Sequence, residues 1–565
     1  MNENKKGVNL IPVVAVIMLV IVSVFVVTLF RDAGKSNSTV NTEEAYAQLT
    51  SKLRKIDVTE GNISPLQLDA GEFLDTASEL PDIDSSYPVV VTGNGTANVE
   101  IFSSGEKAAK SGTDSFLSQM AQEFNGQHQL TSTGHSMSVI IRSVPSGTAV
   151  EYISSGKHVP DAYTPSNELF GEMLAQSTDI SVVTDRLVGN AAGILVNKVK
   201  YDQLVADYGE VNVETVVQAV IDGKLMMGYP NPYTSASGIN FLMTFLQQAD
   251  ADDLFSDTAI EMFQSFQANV PVVSLTTQQL TNSAEKGVVD ALVMEYQTYQ
   301  NDAALSRSYE FVPFGVRHDN PLYAIGNLSE DKMETLNAFV AYCAEHQAEA
   351  TKDGFNGMDS FTGIDATFTG NDIGKAQTIW KEQKNGGVPV VAEFIVDTSG
   401  SMRGESLNNL QKAMLNCIPY INDNNYIGVI SFDSDVCEVL PIGQFDLNQK
   451  TLYKGAVASL DANGNTAMYD ALAVGLDRVH KKVEELGGNA TPIIFVLTDG
   501  QSNTGLSHSA LKPIVEGMQV PIYTVSYNYE SSTLTELANI CEAAAISGDS
   551  DDITYKLRNL FNSEM

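Results

Sequence analysis

Three oxygen-bearing side chains, Asp397, Ser399 and Ser401, fall at alternate positions in the run VVAEFIVDTSGSM. One carboxylate and two hydroxyls delivered by a single turn are hard donors of the kind that bind a divalent cation, and Gly400 lets the backbone turn sharply enough to converge them. Two more oxygens end segments distant in sequence, Thr466 in GNTAMYDALAVGLDRV and Asp499 in PIIFVLTDGQS. With no His or Cys in the set, the ion it suits is Mg²⁺ with retained waters, or Mn²⁺ or Ca²⁺, and not Zn²⁺. Two carboxylates balance the ion's charge and leave it short of at least one ligand, which an acidic group on a partner can supply. That is a binding mechanism needing neither nucleophile nor general base.

The elements that position these oxygens can be read around them. An apolar run of strand length precedes Asp397 and another precedes Asp499, and ligand groups in an open α/β sheet sit just past the carboxyl ends of such strands. Asp397 is accordingly expected at a solvent-facing strand end. Thr466 lies in a Gly/Asn loop before a helical pattern whose Met468, Leu472, Leu476 and Val479 have core-facing spacing.

On these motifs, residues 388–565 resemble a von Willebrand factor A-type domain with an intact metal-ion-dependent adhesion site, matched at all five positions. The resemblance implies a doubly wound α/β fold in which Ser399, Ser401 and Thr466 ligate the ion directly and Asp397 and Asp499 do so directly or through water. It also implies an acidic protein or matrix ligand as partner.

The remainder of the chain is long enough for a second folded unit. The protein has 565 residues, 43% of them hydrophobic, and a formal net charge of -37, which argues against nucleic acid and anionic lipid headgroups as partners. Residues 8–30 are uncharged and apolar over a length that crosses a hydrocarbon core. They read as a transmembrane signal anchor after a cytoplasmic segment 1–7, with the remainder outside the cytoplasm; a cleaved signal peptide is the competing reading. Residues 31–85 are polar and read as a stalk with one helical patch near Glu43 to Leu53. Of the four cysteines, Cys343, Cys417, Cys437 and Cys541, none shows metal-ligand spacing, and a Cys417 to Cys437 disulfide is not expected.

Between 86 and 385, strand-like runs such as NVEIFSS, AGILVNK and DALVMEY alternate with helical patterns, which indicates α/β architecture. Hydroxyls and glycine cluster at element ends: Ser103 and Ser104; Ser146, Gly147 and Thr148; Thr234, Ser235 and Ser237. They could hold a polar or anionic solute, or serve only as caps and turns. In the order of these elements, with PDAYTPSN and NPYTSASG, this region resembles the two-lobed solute-binding proteins of bacterial importers. A helix from Ile373 to Lys384, carrying the one Trp380, then leads into the metal-site domain through a very short connection.

The whole reads as a single-pass, membrane-anchored α/β protein that binds a partner through its metal site. The alternative is the solute-binding component of a transport system serving a membrane permease. An enzyme is not expected, because the Ser104-x-x-Lys107 pattern lacks the companion motifs of serine acyl-transfer enzymes and the seven histidines form no His-Glu-x-x-His.

Overall fold

The computed structural model describes residues 42–565 apart from 62, 69–72, 74, 271, 275–276, 286, 528–531, 541–544 and 549–551. The apolar stretch 8–30 lies outside the described residues, as does Cys541. Among the described residues no helix is long and apolar enough to cross a membrane, and Cys343, Cys417 and Cys437 are free thiols.

The C-terminal domain is built on seven strands in the order Val58–Glu60, Val436–Gln444, Tyr426–Phe432, Val390–Asp397, Thr491–Thr498, Ile522–Tyr527, Ala545–Gly548. All neighbours run parallel except Tyr426–Phe432 against Val436–Gln444. Every residue of the central strand Val390–Asp397 is buried, because helices cover both faces and alternate side chains feed two cores. Val390, Ala392, Phe394 and Val396 enter one core; Val391 and Ile395 enter the other, where they meet Met468, Leu472, Leu476 and Val479 of the helix Met468–Glu485.

Residues 42–68 are not a free stalk. The helix Thr42–Leu53 lies across Met468–Glu485 and His508–Met518, burying Ala45 and Leu49 one turn apart, and the Tyr46 hydroxyl donates to Asp477 at 2.9 Å. The strand Val58–Glu60 then extends the sheet edge beside Val436–Gln444. An edge strand offers unpaired N–H and C=O groups, and a polar segment satisfies them as well as an apolar one. That is why the polarity of the segment misleads.

The two lobes carry separate sheets. Lobe one orders Val89–Val91, Met137–Ser143, Ala97–Ser103, Ala162–Thr164, Leu322–Ile325 and Ile180–Thr184; lobe two orders Tyr309–Arg317, Ala191–Asn197, Ala291–Glu295, Met227–Pro230 and Val272–Ser274. The chain crosses between them before Ala191 and returns after Arg317. The junction helix Gly370–Gln383 follows, packed on both lobes.

One buried charge interrupts the apolar pattern of the central strand. Glu393 is fully buried, bonded through one oxygen to Arg478 Nε at 2.7 Å, and its Oε1 has no hydrogen-bond partner. Burial lifts its carboxyl from the ordinary 4.5 to about 7, against the pull of Arg478. Within that window the folded protein holds a proton that the unfolded chain has released, so the contribution of Glu393 to stability falls as pH rises through it. We expect Arg478→Ala, which strands the carboxylate, to cost about 3–5 kcal/mol near pH 8 and less near pH 5. Urea unfolding of the full chain at the two pH values measures this; equal losses would remove Glu393 as the cause.

Candidate functional site

Asp397 ends the central strand, and its carboxylate accepts the Ser399 backbone N–H at 2.8 Å and the Thr498 hydroxyl. The hydroxyls of Ser399 and Ser401 lie 3.1 Å apart, and Ser401 donates to Asp499 Oδ1 at 2.8 Å. The Thr466 loop is held against this chain of oxygens. Asn463 N–H donates to the Thr398 carbonyl at 2.7 Å and Gly400 N–H to the Gly464 carbonyl at 3.1 Å, while the Asn503 side chain accepts the Thr466 N–H at 2.9 Å. A Cβ on Gly400 would lie 3.3 Å from the Gly464 oxygen, so glycine permits the close approach of the two loops.

These oxygens fit a hard cation. Mg²⁺ held at about 2.1 Å by each ligand puts neighbouring ligand oxygens about 3 Å apart, close to the two separations found here. Burial, and more weakly the nearby Asp499, raise the Asp397 carboxyl above its usual range despite donation from Thr498 and Ser399. A bound cation would reverse that shift. Asp397 is fully buried, contrary to the solvent-facing position expected for a strand end: the turn of Ser399 and the end of the neighbouring strand at Thr498 close over it. Ser401 is exposed and Asp499 half-buried, so the open side of the group lies there. Beside it, a recess of about 410 Å³ is lined by Tyr469, Gln501, Leu506, His508 and Leu534, among others.

The hydroxyls proposed for solute binding are not gathered into one site. Ser103 bonds the Ser104 carbonyl. The Ser146 carbonyl accepts from Tyr163, Gly147 N–H donates to the Thr234 carbonyl, and Thr148 meets the Tyr555 hydroxyl at 2.8 Å. Ser235 caps the helix Ala236–Ala249. Only Ser104 and Ser237 border a polar cluster between the lobes, contacting Glu106 at 2.6 Å and Glu295 at 3.4 Å. Within that cluster the buried Lys107 donates to the Ser104 hydroxyl, the Thr164 carbonyl at 3.1 Å and Glu106 at 3.2 Å. His318 sits 3.0 Å from Glu295. Burial lowers the Lys107 pKa, yet an ammonium with three acceptors is the cation of an ion pair and has no free lone pair to act as a base.

Residues 393–562 match the family model described as von Willebrand factor type A domain, and residues 107–356 match that described as Bacterial extracellular solute-binding protein. The chain joins an A domain to a solute-binding domain. Inter-alpha-trypsin inhibitor heavy chain H3 from Bos taurus and from Homo sapiens are each 29% identical over 182 residues, 29% of this chain and 20% of theirs. The chain thus spans about a fifth of the length of these curated relatives, at 20% coverage. Among solved structures, "Periplasmic thiamin binding protein" aligns at 9% identity and TM-score 0.38, over 51% of this chain and 96% of its own. "von Willebrand factor type A from Catenulispora acidiphila" aligns at 20% identity and TM-score 0.29, over 31% and 42%.

In the solute-binding domain, sequence reasoning passed over Glu106, Glu295 and His318. Glu295 was within reach, since it lies in the quoted run DALVMEY and ends the strand Ala291–Glu295 as Asp397 ends its own. In the A domain, Thr498, which bonds Asp397 from the neighbouring strand, carried no signal beyond its place next to Asp499.

Burial separates the roles of the metal-site residues. Asp397→Ala is expected to abolish ion binding and to cost about 1–3 kcal/mol of stability, because the Ser399 N–H and Thr498 hydroxyl lose their acceptor. Ser401→Ala, at an exposed position, should weaken ion binding while changing stability by less than about 0.5 kcal/mol. Calorimetric Mg²⁺ titration and denaturant unfolding of both variants test the contrast, and equal stability losses would contradict it.

Proposed function

We propose that this protein is a binding protein that works outside the cytoplasm, held at the membrane by its 8–30 segment, and that its A domain binds an acidic group of a protein partner through a divalent cation. The observation that carries the reading is the connected series Asp397, Ser399, Ser401, Asp499, open on the Ser401 side. Its oxygens belong to hydroxyls and carboxylates alone, the chemistry of Mg²⁺, Mn²⁺ or Ca²⁺. When bound, the ion supplies a coordination position that a partner carboxylate can fill. The chain's own residues fix this series of oxygens, exclude bulk water from Asp397 and leave the recess by Tyr469 and His508 for whatever flanks the partner's acidic residue.

Binding without turnover is the chemistry we assign to the whole chain. Lys107 is saturated by its three acceptors, and most of the hydroxyls nominated for a solute are spent on internal contacts, which favours the A-domain face as the working surface.

The test is retention of displayed peptides on the immobilised full chain. Peptides bearing Asp or Glu should be held in Mg²⁺ and released by a chelator, their Asn and Gln counterparts should pass through, and Ser401→Ala should lose retention. Retention that ignores the chelator, or that does not distinguish carboxylate from amide, would refute the proposal.

A further inference from the structure

The C-terminal helix of the A domain, Ile553–Glu564, is shared between the two domains. Ile553, Leu557, Leu560 and Phe561 pack in the A-domain core, whereas Tyr555 packs in the core of the solute-binding domain. Its hydroxyl meets that of Thr148 at 2.8 Å. Nearly one turn on, the buried Arg558 donates to Glu151 at 2.6 Å and to Glu79 at 3.0 Å. Thr148 and Glu151 both belong to the lobe-one helix Ser146–Ser155.

That helix begins at the seam between the lobes. Gly147 N–H donates to the Thr234 carbonyl of lobe two at 3.3 Å, and a Cβ on Gly147 would fall 1.9 Å from the Tyr233 carbonyl oxygen. The Tyr233 hydroxyl donates in turn to the Gln377 carbonyl of the junction helix at 3.2 Å, and Trp380 Nε1 donates to the Tyr229 hydroxyl of lobe two at 2.7 Å. From the other side of the junction helix, Lys381 donates to the Phe561 carbonyl at 3.0 Å and Lys384 to the Ser563 carbonyl at 2.5 Å. Both amino groups lie at the last turn of the C-terminal helix, where carbonyls left without an intrahelical partner accept from them.

The contacts form a closed circuit from lobe one through the C-terminal helix and the junction helix to lobe two. Lobes that part about a hinge must separate at this seam. The buried Trp380 packs in one core with Tyr229, Phe241 and Phe266, so the junction helix moves with lobe two, and parting the lobes then draws Arg558 off Glu151 or the lysines off the helix end. We propose that the A domain braces the solute-binding lobes closed through Tyr555 and Arg558, so that exchange of a solute requires the C-terminal helix to release the helix Ser146–Ser155. The proposal is independent of the metal site and stands or falls without it.

Distances between the lobes test it directly in the full chain. Spin labels at Val159→Cys in lobe one and Val199→Cys in lobe two, both exposed, are placed in a background carrying Cys437→Ser and Cys541→Ser. The parent should give one short interlobe distance, with any longer population at about 10% or less. The pair Arg558→Met and Tyr555→Phe should make the longer population dominant. Glu151→Gln with Thr148→Val, which cuts the same contacts from the lobe-one side, should do likewise and serves if the first pair fails to fold. Gly147→Ala, a wedge within the seam, calibrates the open distance. A seam that opens with Gly147→Ala but stays closed in the brace variants overturns the proposal, as does a parent that already populates both distances.

Discussion

Arg558 is almost wholly withdrawn from water, and the arrangement of the molecule follows from keeping that charge neutralised. Glu79 from the segment leading into lobe one and Glu151 from the lobe itself take its two amino groups, and the rings of Tyr420 and Tyr555 face its guanidinium at 5.9 and 4.8 Å. Tyr420 also donates to Glu79 at 2.9 Å. Removing one member of a buried charge cluster costs far more than the cluster itself contributes to stability. Its effect is therefore to specify which surfaces meet, and it brings together parts of the chain separated by several hundred residues.

The same constraint distinguishes the candidate metal site from the other buried acids. Glu106 has Lys107, Glu393 has Arg478, Glu79 has Arg558, and Glu295 faces His318. Although burial opposes it, Lys107 together with the Ser104 and Ser166 hydroxyls holds Glu106 below its ordinary range. Asp397 is as buried as any of these and its carboxyl is pushed upward as that of Glu393 is, yet its partners are a hydroxyl and a backbone N–H. A protein that sets Lys107, Arg478 and Arg558 against withdrawn carboxylates elsewhere, but surrounds this one with neutral donors and a second carboxylate, has the electrostatics of a site completed from outside.

These oxygens were legible because Asp397 and Asp499 end apolar runs and Thr466 precedes a helical pattern, and element ends are where open sheets gather ligands. The depth of Asp397 was not, because it depends on how the Thr498 and Thr466 segments fold over the strand end. Small hydroxyl residues in the lobes were ambiguous for a plainer reason: capping, interlobe contact and solute contact all select the same residue types, and only their neighbours in space decide. Thr148 is the clearest case, since its partner Tyr555 is 407 residues away. The docking of residues 42–68 left little trace beyond Ala45 and Leu49, a pair too short to stand out from a polar segment.

The short connection after the junction helix suggested restricted domain orientation, but the restraint is stronger than linker length implies. Residues 42–68 pack on the A domain before the chain enters lobe one, and the chain returns to the A domain only after both lobes are complete. The solute-binding domain is thus suspended between two segments that belong structurally to the A domain, with the C-terminal helix as a third attachment. The A domain, which carries the candidate-site oxygens, is accordingly the frame in which the lobes are held.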